Sequence, residues 1–156
     1  VNQTGLVNSK TLLIVSTTKG EINSINLDIN KAHLSSLTEN ISSFFNFIDK
    51  AITLSTACVS GLQSLIVAND MLNHNYYDNV IICGGDFASK FVIEGFTSFY
   101  ALSNSICKPF DKDRKGLNLG EAVSTIIVIV WPSSIVDMKT GRLVAGYTVL
   151  IEKTEF

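Results

Sequence analysis

Two hydrophobic periods alternate along this chain, and that alternation restricts its fold more than any other feature. Short β-rich runs, Thr11 to Thr17 (TLLIVST), Ile52 to Thr56 and Asn79 to Cys83, predict strands buried within a sheet. Between the first two, Leu34, Leu37, Ile41, Phe44, Phe45 and Ile48 recur at spacings of three and four, which places them on one face of a helix. Between the second and third, Val59 to Leu72 is apolar nearly all round, through Leu62, Leu65, Ile66, Val67, Ala68, Met71 and Leu72, and predicts a fully buried helix. The order strand, helix, strand, helix, strand implies an α/β layered fold.

Beyond Gly84-Gly85, the segment from Phe87 to Leu102 reads as helical in part. Lys108 to Asn118 (KPFDKDRKGLN) is the most polar part of the chain and predicts an exposed loop. Two more strand-like runs follow, Ala122 to Val130 and Arg142 to Ile151, with Trp131-Pro132 and Thr140-Gly141 as breaks.

At 156 residues and 46% apolar side chains, the chain is long enough to bury one core, and one domain is expected. A net charge of −2 and 17% charged residues supply no clustered basic surface, so neither nucleic acid nor an anionic membrane is expected as a partner. The longest apolar stretch, Ser124 to Trp131, falls far short of the roughly 20 residues that span a bilayer. Val1 to Gly5 carries no secretory signal pattern, which predicts a cytoplasmic protein. Three cysteines, Cys58, Cys83 and Cys107, without CxxC spacing argue against disulfides or a zinc knuckle and for reduced thiols.

Cys58 stands where a strand gives way to a helix, in Ser55-Thr56-Ala57-Cys58-Val59-Ser60-Gly61. A thiol attacks as thiolate, and the unpaired amides of a helix start favour that form. The same amides can stabilise the oxyanion produced when a thioester carbonyl is attacked. Ala57 and Ser60 are small, and Gly61 permits close approach of backbone or substrate. The other reading is a small buried apolar residue, the commoner fate of a cytosolic cysteine. Spacing alone leaves the two readings level. Gly84-Gly85 lacks the lysine and hydroxyl residue of a phosphate loop, so anion binding there is a poor reading. Cys83 is expected to pack in the core and Cys107 to be partly exposed near the polar loop.

Three linked segments carry a family resemblance: Thr56-Ala57-Cys58-Val59-Ser60-Gly61, Ile81-Ile82-Cys83-Gly84-Gly85, and Pro109-Phe110-Asp111-Lys112-Asp113-Arg114-Lys115-Gly116 leading to Gly120-Glu121-Ala122. In order and separation, roughly from Thr11 to Val130, they resemble the β-ketoacyl synthases of fatty-acid and polyketide synthesis. The polar loop is similar to that of the chain-elongating type, departing from its pattern at Lys115, where an acidic residue is common, and at Ala122, where glycine is usual.

The resemblance implies an α/β, thiolase-like fold of αβαβα layers, of which residues 1–156 would be a partial N-terminal domain forming the first half only. It implies that Cys58 accepts an acyl group from an acyl carrier protein thioester. Decarboxylation of a malonyl-carrier thioester and attack of its carbanion on the acyl-cysteine then give a 3-oxoacyl product. Glu121 and Gly61 would support the site, Glu121 by pairing with a lysine of the second half. The family places its two catalytic histidines in that half. His33 and His74 fall in no comparable motif, so the chain alone would not condense. Asp111 and Arg114 are expected to pair across the loop.

No metal or organic cofactor is implied. The partners implied are acyl carrier protein and either a second copy or a synthase partner subunit, with Val80 to Cys83 as the suggested seam. Two other classes stay open: a non-catalytic subunit that shapes a chain-length pocket or holds a dimer, against which retention of Cys58 argues, and a hydrolase or thiolase-like acyltransferase using the same cysteine.

Overall fold

The structure is a computed structural model that describes residues 10–45, 51–130 and 147–154. Strand β1 (Thr11–Ser16) is followed by two short 3-10 turns, Ile22–Asn26 and Ile29–Ala32, and by helix α1 (Leu34–Phe45). Strand β2 (Ala51–Leu54), helix α2 (Ser60–Asn73), strand β3 (Asn79–Asp86) and helix α3 (Lys90–Ser98) come next. Two further strands, β4 (Ala122–Val130) and β5 (Tyr147–Thr154), complete the described elements.

The strands form one mixed sheet in the order β2-β1-β3-β4-β5. β1 pairs in parallel with β2 and β3, as the helical crossovers between them require, and β4 runs antiparallel to β3 and to β5. Every residue of β1 is buried. This explains why its sequence is a continuous apolar run rather than an alternating one: both of its faces are covered.

On one face Leu12 and Ile14 of β1, Val80 and Ile82 of β3 and Val128 of β4 pack against Ala68 and Leu72 of α2. On the other, Leu13, Val15 and Ile81 meet Leu37, Ile41 and Phe45 of α1. Each fully buried Leu, Ile or Val contributes about 1.5–3 kcal/mol, so these two clusters hold the sheet between its helices.

Helix α2 differs from its expected full burial. Its buried line is Ser60, Ser64, Ala68 and Leu72, one residue every fourth position, and small side chains in the first three places let the helix lie close to the sheet. Ser64 Oγ settles its own buried polarity by donating to the Ser60 carbonyl at 2.9 Å. The apolar residues on the far side stay exposed, Val59 at 54%, Leu62 at 60% and Ile66 at 48%. All-round hydrophobicity here therefore reflects one face in the core and a second apolar face with no cover among the described residues.

The suggested seam is also corrected. Val80 to Cys83 lies in β3, hydrogen-bonded to β1 on one side and β4 on the other, so no strand of another molecule can pair with it. Strand positions otherwise agree closely with the sequence reading. The portion of the last predicted strand from 142 to 146, and Ile48 of the first predicted helix, lie outside the described residues.

Candidate active site

In an open sheet, ligands collect beyond the carboxyl ends of the parallel strands, where the connections leave in opposite directions. β1 connects through α1 to β2 on one side, and β3 lies on the other, so that point falls beyond Ser16 and Asp86. An open depression of about 410 Å³ occupies it. Ser16 and Thr18 come to its lining from the end of β1, Gly84, Gly85 and Asp86 from β3, and Gly120, Glu121, Ala122 and Ser124 from the start of β4. Ala57, Cys58, Ser60 and Gly61 complete it from the turn before α2. Residues from three of the resembling motifs thus meet at one place.

The turn that carries Cys58 is held by its neighbours' hydrogen bonds. Ser60, buried, accepts the Thr56 N–H on its Oγ at 2.9 Å and donates the hydroxyl proton to the Ala57 carbonyl at 2.6 Å. The N–H groups of Val59 and Ser60 donate to the carbonyls of Thr56 and Ala57 at 3.3 and 3.2 Å. Ala57 adopts the left-handed conformation, φ 52°, unfavourable for a residue with a Cβ by about 1–3 kcal/mol. The strain falls on the residue before the cysteine and turns the chain sharply, leaving Cys58 exposed immediately ahead of α2. The buried apolar alternative for Cys58 does not describe this position.

A Cβ added at Gly61 would meet nothing within 4 Å, so packing among the described residues does not demand glycine there; the space beside it is open. Gly84 and Gly85 stand in register with Ser124 and Val123 as part of the β3–β4 ladder, and the next residue is the acidic Asp86. These positions are sheet, not an anion-binding loop.

Glu121 is exposed at the rim and accepts the Ala88 backbone N–H on Oε1 at 2.9 Å, joining the entrance of β4 to the connection before α3. Asp86, which the sequence reading did not single out, makes a denser set of bonds. Its Oδ1 accepts from Thr17 Oγ1 at 3.1 Å, Thr18 Oγ1 at 2.9 Å and Thr18 N–H at 3.0 Å, and its Oδ2 also accepts from Thr18 N–H at 3.0 Å. The only sequence signal for it was an acidic residue directly after the glycine pair of a buried strand.

The polar loop is organised differently from the expected ion pair. Arg114 Nη1 donates to the backbone carbonyl of Asp111 at 3.0 Å, while the Asp111 carboxylate accepts the Asp113 N–H at 2.7 Å. Gly116, at φ 115°, passes so close to the chain at 101–103 that a Cβ would lie 2.6 Å from the Ala101 carbonyl oxygen. This glycine is required by close approach of two backbones.

His33 and His74 are exposed and neither lines the depression. His74 caps the far end of α2, about 20 Å from its start at 1.5 Å per residue, with Nδ1 2.8 Å from the Asp70 carbonyl oxygen. Cys83 is half-buried among the residues under α1; burial pushes its thiol above the ordinary range, and a hydrogen bond with Thr125 opposes that more weakly. Cys107 is half-buried, its N–H bonded to Asn118 Oδ1 at 2.8 Å. Among the described residues no group of three or more His, Cys, Asp or Glu could hold a metal ion, and no helix is long and apolar enough to cross a membrane.

Residues 4–130 match the family described as beta-ketoacyl synthase, N-terminal domain. The 3-oxoacyl-(acyl-carrier-protein) synthase 2 of Coxiella burnetii (strain RSA 493 / Nine Mile phase I) is 36% identical over 84 residues, 49% of this chain and 20% of that protein. The reducing polyketide synthase pksF of Alternaria solani is 26% identical over 125 residues, 77% of this chain and 5% of that protein. The chain thus spans a fifth or less of the length of these curated relatives. In three dimensions it is similar to a chain in the structure of the ketosynthase ApeO in complex with its chain length factor ApeC from Xenorhabdus doucetiae. The TM-score is 0.70 at 24% identity, covering 79% of this chain and 35% of that one. This likeness bears out the α/β, thiolase-like fold expected for a first half.

Proposed function

Because the chain belongs to the β-ketoacyl synthase family, whose N-terminal domain its residues 4–130 match, we propose that Cys58 is the acyl-accepting nucleophile of a 3-oxoacyl-acyl-carrier-protein synthase. The observation that carries the reading is the position of Cys58: exposed, at the head of α2, in the depression where β3 and the entrance of β4 deliver their motif residues beside the end of β1.

The thiolate would attack the carbonyl carbon of an acyl-carrier thioester. The negative charge passes to the carbonyl oxygen, and collapse of the tetrahedral adduct expels the carrier's thiolate, leaving an acyl-cysteine. Since the amides of Val59 and Ser60 are already bonded within the turn, the oxyanion would draw on other donors. Gly61 leaves open space for the thioester. Glu121 holds the connection before α3 in place and remains at the rim, where a basic residue of a second half can reach it.

Condensation is a separate matter. Decarboxylation of the malonyl thioester needs acid–base groups facing the acyl-cysteine, and neither His33 nor His74 lines the depression. The residues for that step would come from the second half that the resemblance implies, which would also cover the exposed apolar face of α2. Acyl carrier protein is the proposed donor partner. A second synthase-type subunit is supported by the pairing of a ketosynthase with a chain length factor in the similar structure; an edge strand such as β2, not β3, would be available to it.

The test is to incubate the natural protein containing this chain with an acyl-carrier thioester and measure intact mass and the modified peptide. The expected result is one acyl adduct on Cys58, lost in Cys58→Ala. Absence of the adduct, or condensation undiminished in Cys58→Ala, would instead make the chain a non-catalytic partner subunit.

A further inference from the structure

The carboxylate of Asp86 sits at the end of β3, yet among the described residues it accepts from the turn that follows β1, from the hydroxyls of Thr17 and Thr18 and from the Thr18 N–H shared between both oxygens. That turn is tied further. Thr17 N–H donates to the Leu54 carbonyl at the end of β2 at 3.2 Å, Thr17 Oγ1 accepts the Gly20 N–H at 3.0 Å, and the Thr18 carbonyl accepts the Ser55 hydroxyl at 3.3 Å. Ser55 is the residue through which β2 enters the Thr56-Ala57-Cys58 turn. One carboxylate therefore connects the ends of three neighbouring strands, and the connection ends three residues before Cys58.

We propose that Asp86 is a positioning residue for Cys58: it fixes the Thr17–Thr18 turn, and that turn, through the Thr18 carbonyl and the Ser55 hydroxyl, fixes the strand end from which the cysteine is presented. The inference rests on reading Cys58 as the nucleophile. Its physical basis is the left-handed Ala57, a strained conformation that persists only where its surroundings hold it. On the α2 side Ser60 supplies that hold; on the β2 side the Asp86–Thr18–Ser55 chain does. Asn in place of Asp86 weakens it: one acceptor oxygen remains for Thr17 and Thr18, but it is uncharged, and the amide nitrogen presents a donor where Oδ2 accepts the Thr18 N–H.

The experiment measures the pseudo-first-order rate of Cys58 alkylation by iodoacetamide, read by peptide mass, in the natural protein and in Asp86→Asn, Ser55→Ala and the double variant. A parallel measurement gives the single-turnover rate of acylation from an acyl-carrier thioester. Asp86→Asn should slow Cys58 about tenfold and Ser55→Ala about threefold, and the double variant should be no slower than Asp86→Asn alone, because the two residues belong to one connection. Ser55 is exposed, so its variant reports even where Asp86→Asn fails to fold.

Rates within twofold of the parent in Ser55→Ala, or losses that multiply in the double variant, would overturn the proposal. So would a matching acceleration at Cys83, which would mean that the variants merely open the fold. Alkylation needs no acyl donor, so a protein that fails to take an acyl group defeats the proposed function without deciding this one.

Discussion

Glu121 Oε1 lies 2.9 Å from the backbone nitrogen of Ala88, so one side chain at the entrance of β4 fixes the connection that leads from β3 into α3. Ser89 then caps that helix, its Oγ accepting the Val92 N–H at 3.3 Å. The two bonds act in series: Glu121 sets where the connection runs, and Ser89 starts the helix from there.

Removing the first should therefore loosen the second. In Glu121→Ala, hydrogen exchange at Ala88 and Val92 should speed up together, at a stability cost of about 0.5–1.5 kcal/mol. Glu121→Gln keeps an acceptor oxygen and should retain most of the protection. Exchange rates unchanged in Glu121→Ala would show that the carboxylate does not hold this connection.

Gly116 and Gly95 should respond oppositely to alanine. At Gly116 a Cβ would meet the Ala101 carbonyl oxygen at 2.6 Å with φ at 115°, whereas at Gly95, inside α3, it would meet nothing within 4 Å. Gly116→Ala should lower stability by more than about 1 kcal/mol, and Gly95→Ala should raise it by about 0.5–1 kcal/mol, through helix propensity alone. Denaturant midpoints of the two variants measure the contrast.

Strand β1 was legible in the sequence because it is sealed on both faces, and such a strand is written as an unbroken apolar run, as in Leu12 to Val15. Helix α2 misled for a related reason. Hydrophobic periodicity records which side chains are apolar, and Leu62 and Ile66 carry that signal although no described residue covers them. At the site, Cys58, Gly61 and Glu121 were visible through their motifs, and all three line one depression. Asp86 was not, since its importance lies in hydrogen bonds to Thr17 and Thr18, 69 and 68 positions earlier in the chain. Arg114 shows the same limit at short range: opposite charges at 111 and 114 predicted an ion pair, but the loop turns the guanidinium onto a carbonyl.

Cys58 and Cys83 should separate by rate. Cys58 is exposed, while Cys83 is half-buried and its ionisation is displaced upward by that burial. Iodoacetamide near neutral pH should label Cys58 first, with Cys83 catching up only as pH rises above the usual thiol range of about 8–9. The sign carries over to stability. A folded-state value above the unfolded one means that the unfolded chain loses its thiol proton first, so the stabilisation is complete below the unfolded value and drains away as pH climbs through the folded one. Cys83→Ala should flatten that alkaline loss in urea titrations between neutral pH and pH ~10. Equal labelling of Cys58 and Cys83 at neutral pH would contradict the burial of Cys83.

Ala57 offers the sharpest test of how the cysteine turn is built. Its φ of 52° is open to glycine, tolerable for alanine and strongly unfavourable for a β-branched residue, whose two branches crowd the backbone there. Ala57→Gly exchanges relief of strain against extra freedom in the unfolded chain and should leave stability within about 1 kcal/mol of the parent. Ala57→Val should lose about 1–3 kcal/mol, or escape the loss by letting the turn relax into an extended conformation. The second course would pull Thr56 and Ala57 away from Ser60 Oγ, breaking both of the hydrogen bonds that Ser60 makes back to the turn. Stability and Cys58 reactivity together distinguish the two: a destabilised variant with parent-like alkylation has kept the turn, and a stable one with slowed alkylation has lost it. An Ala57→Val protein unchanged in both measurements would mean that the left-handed residue is no part of how Cys58 is presented.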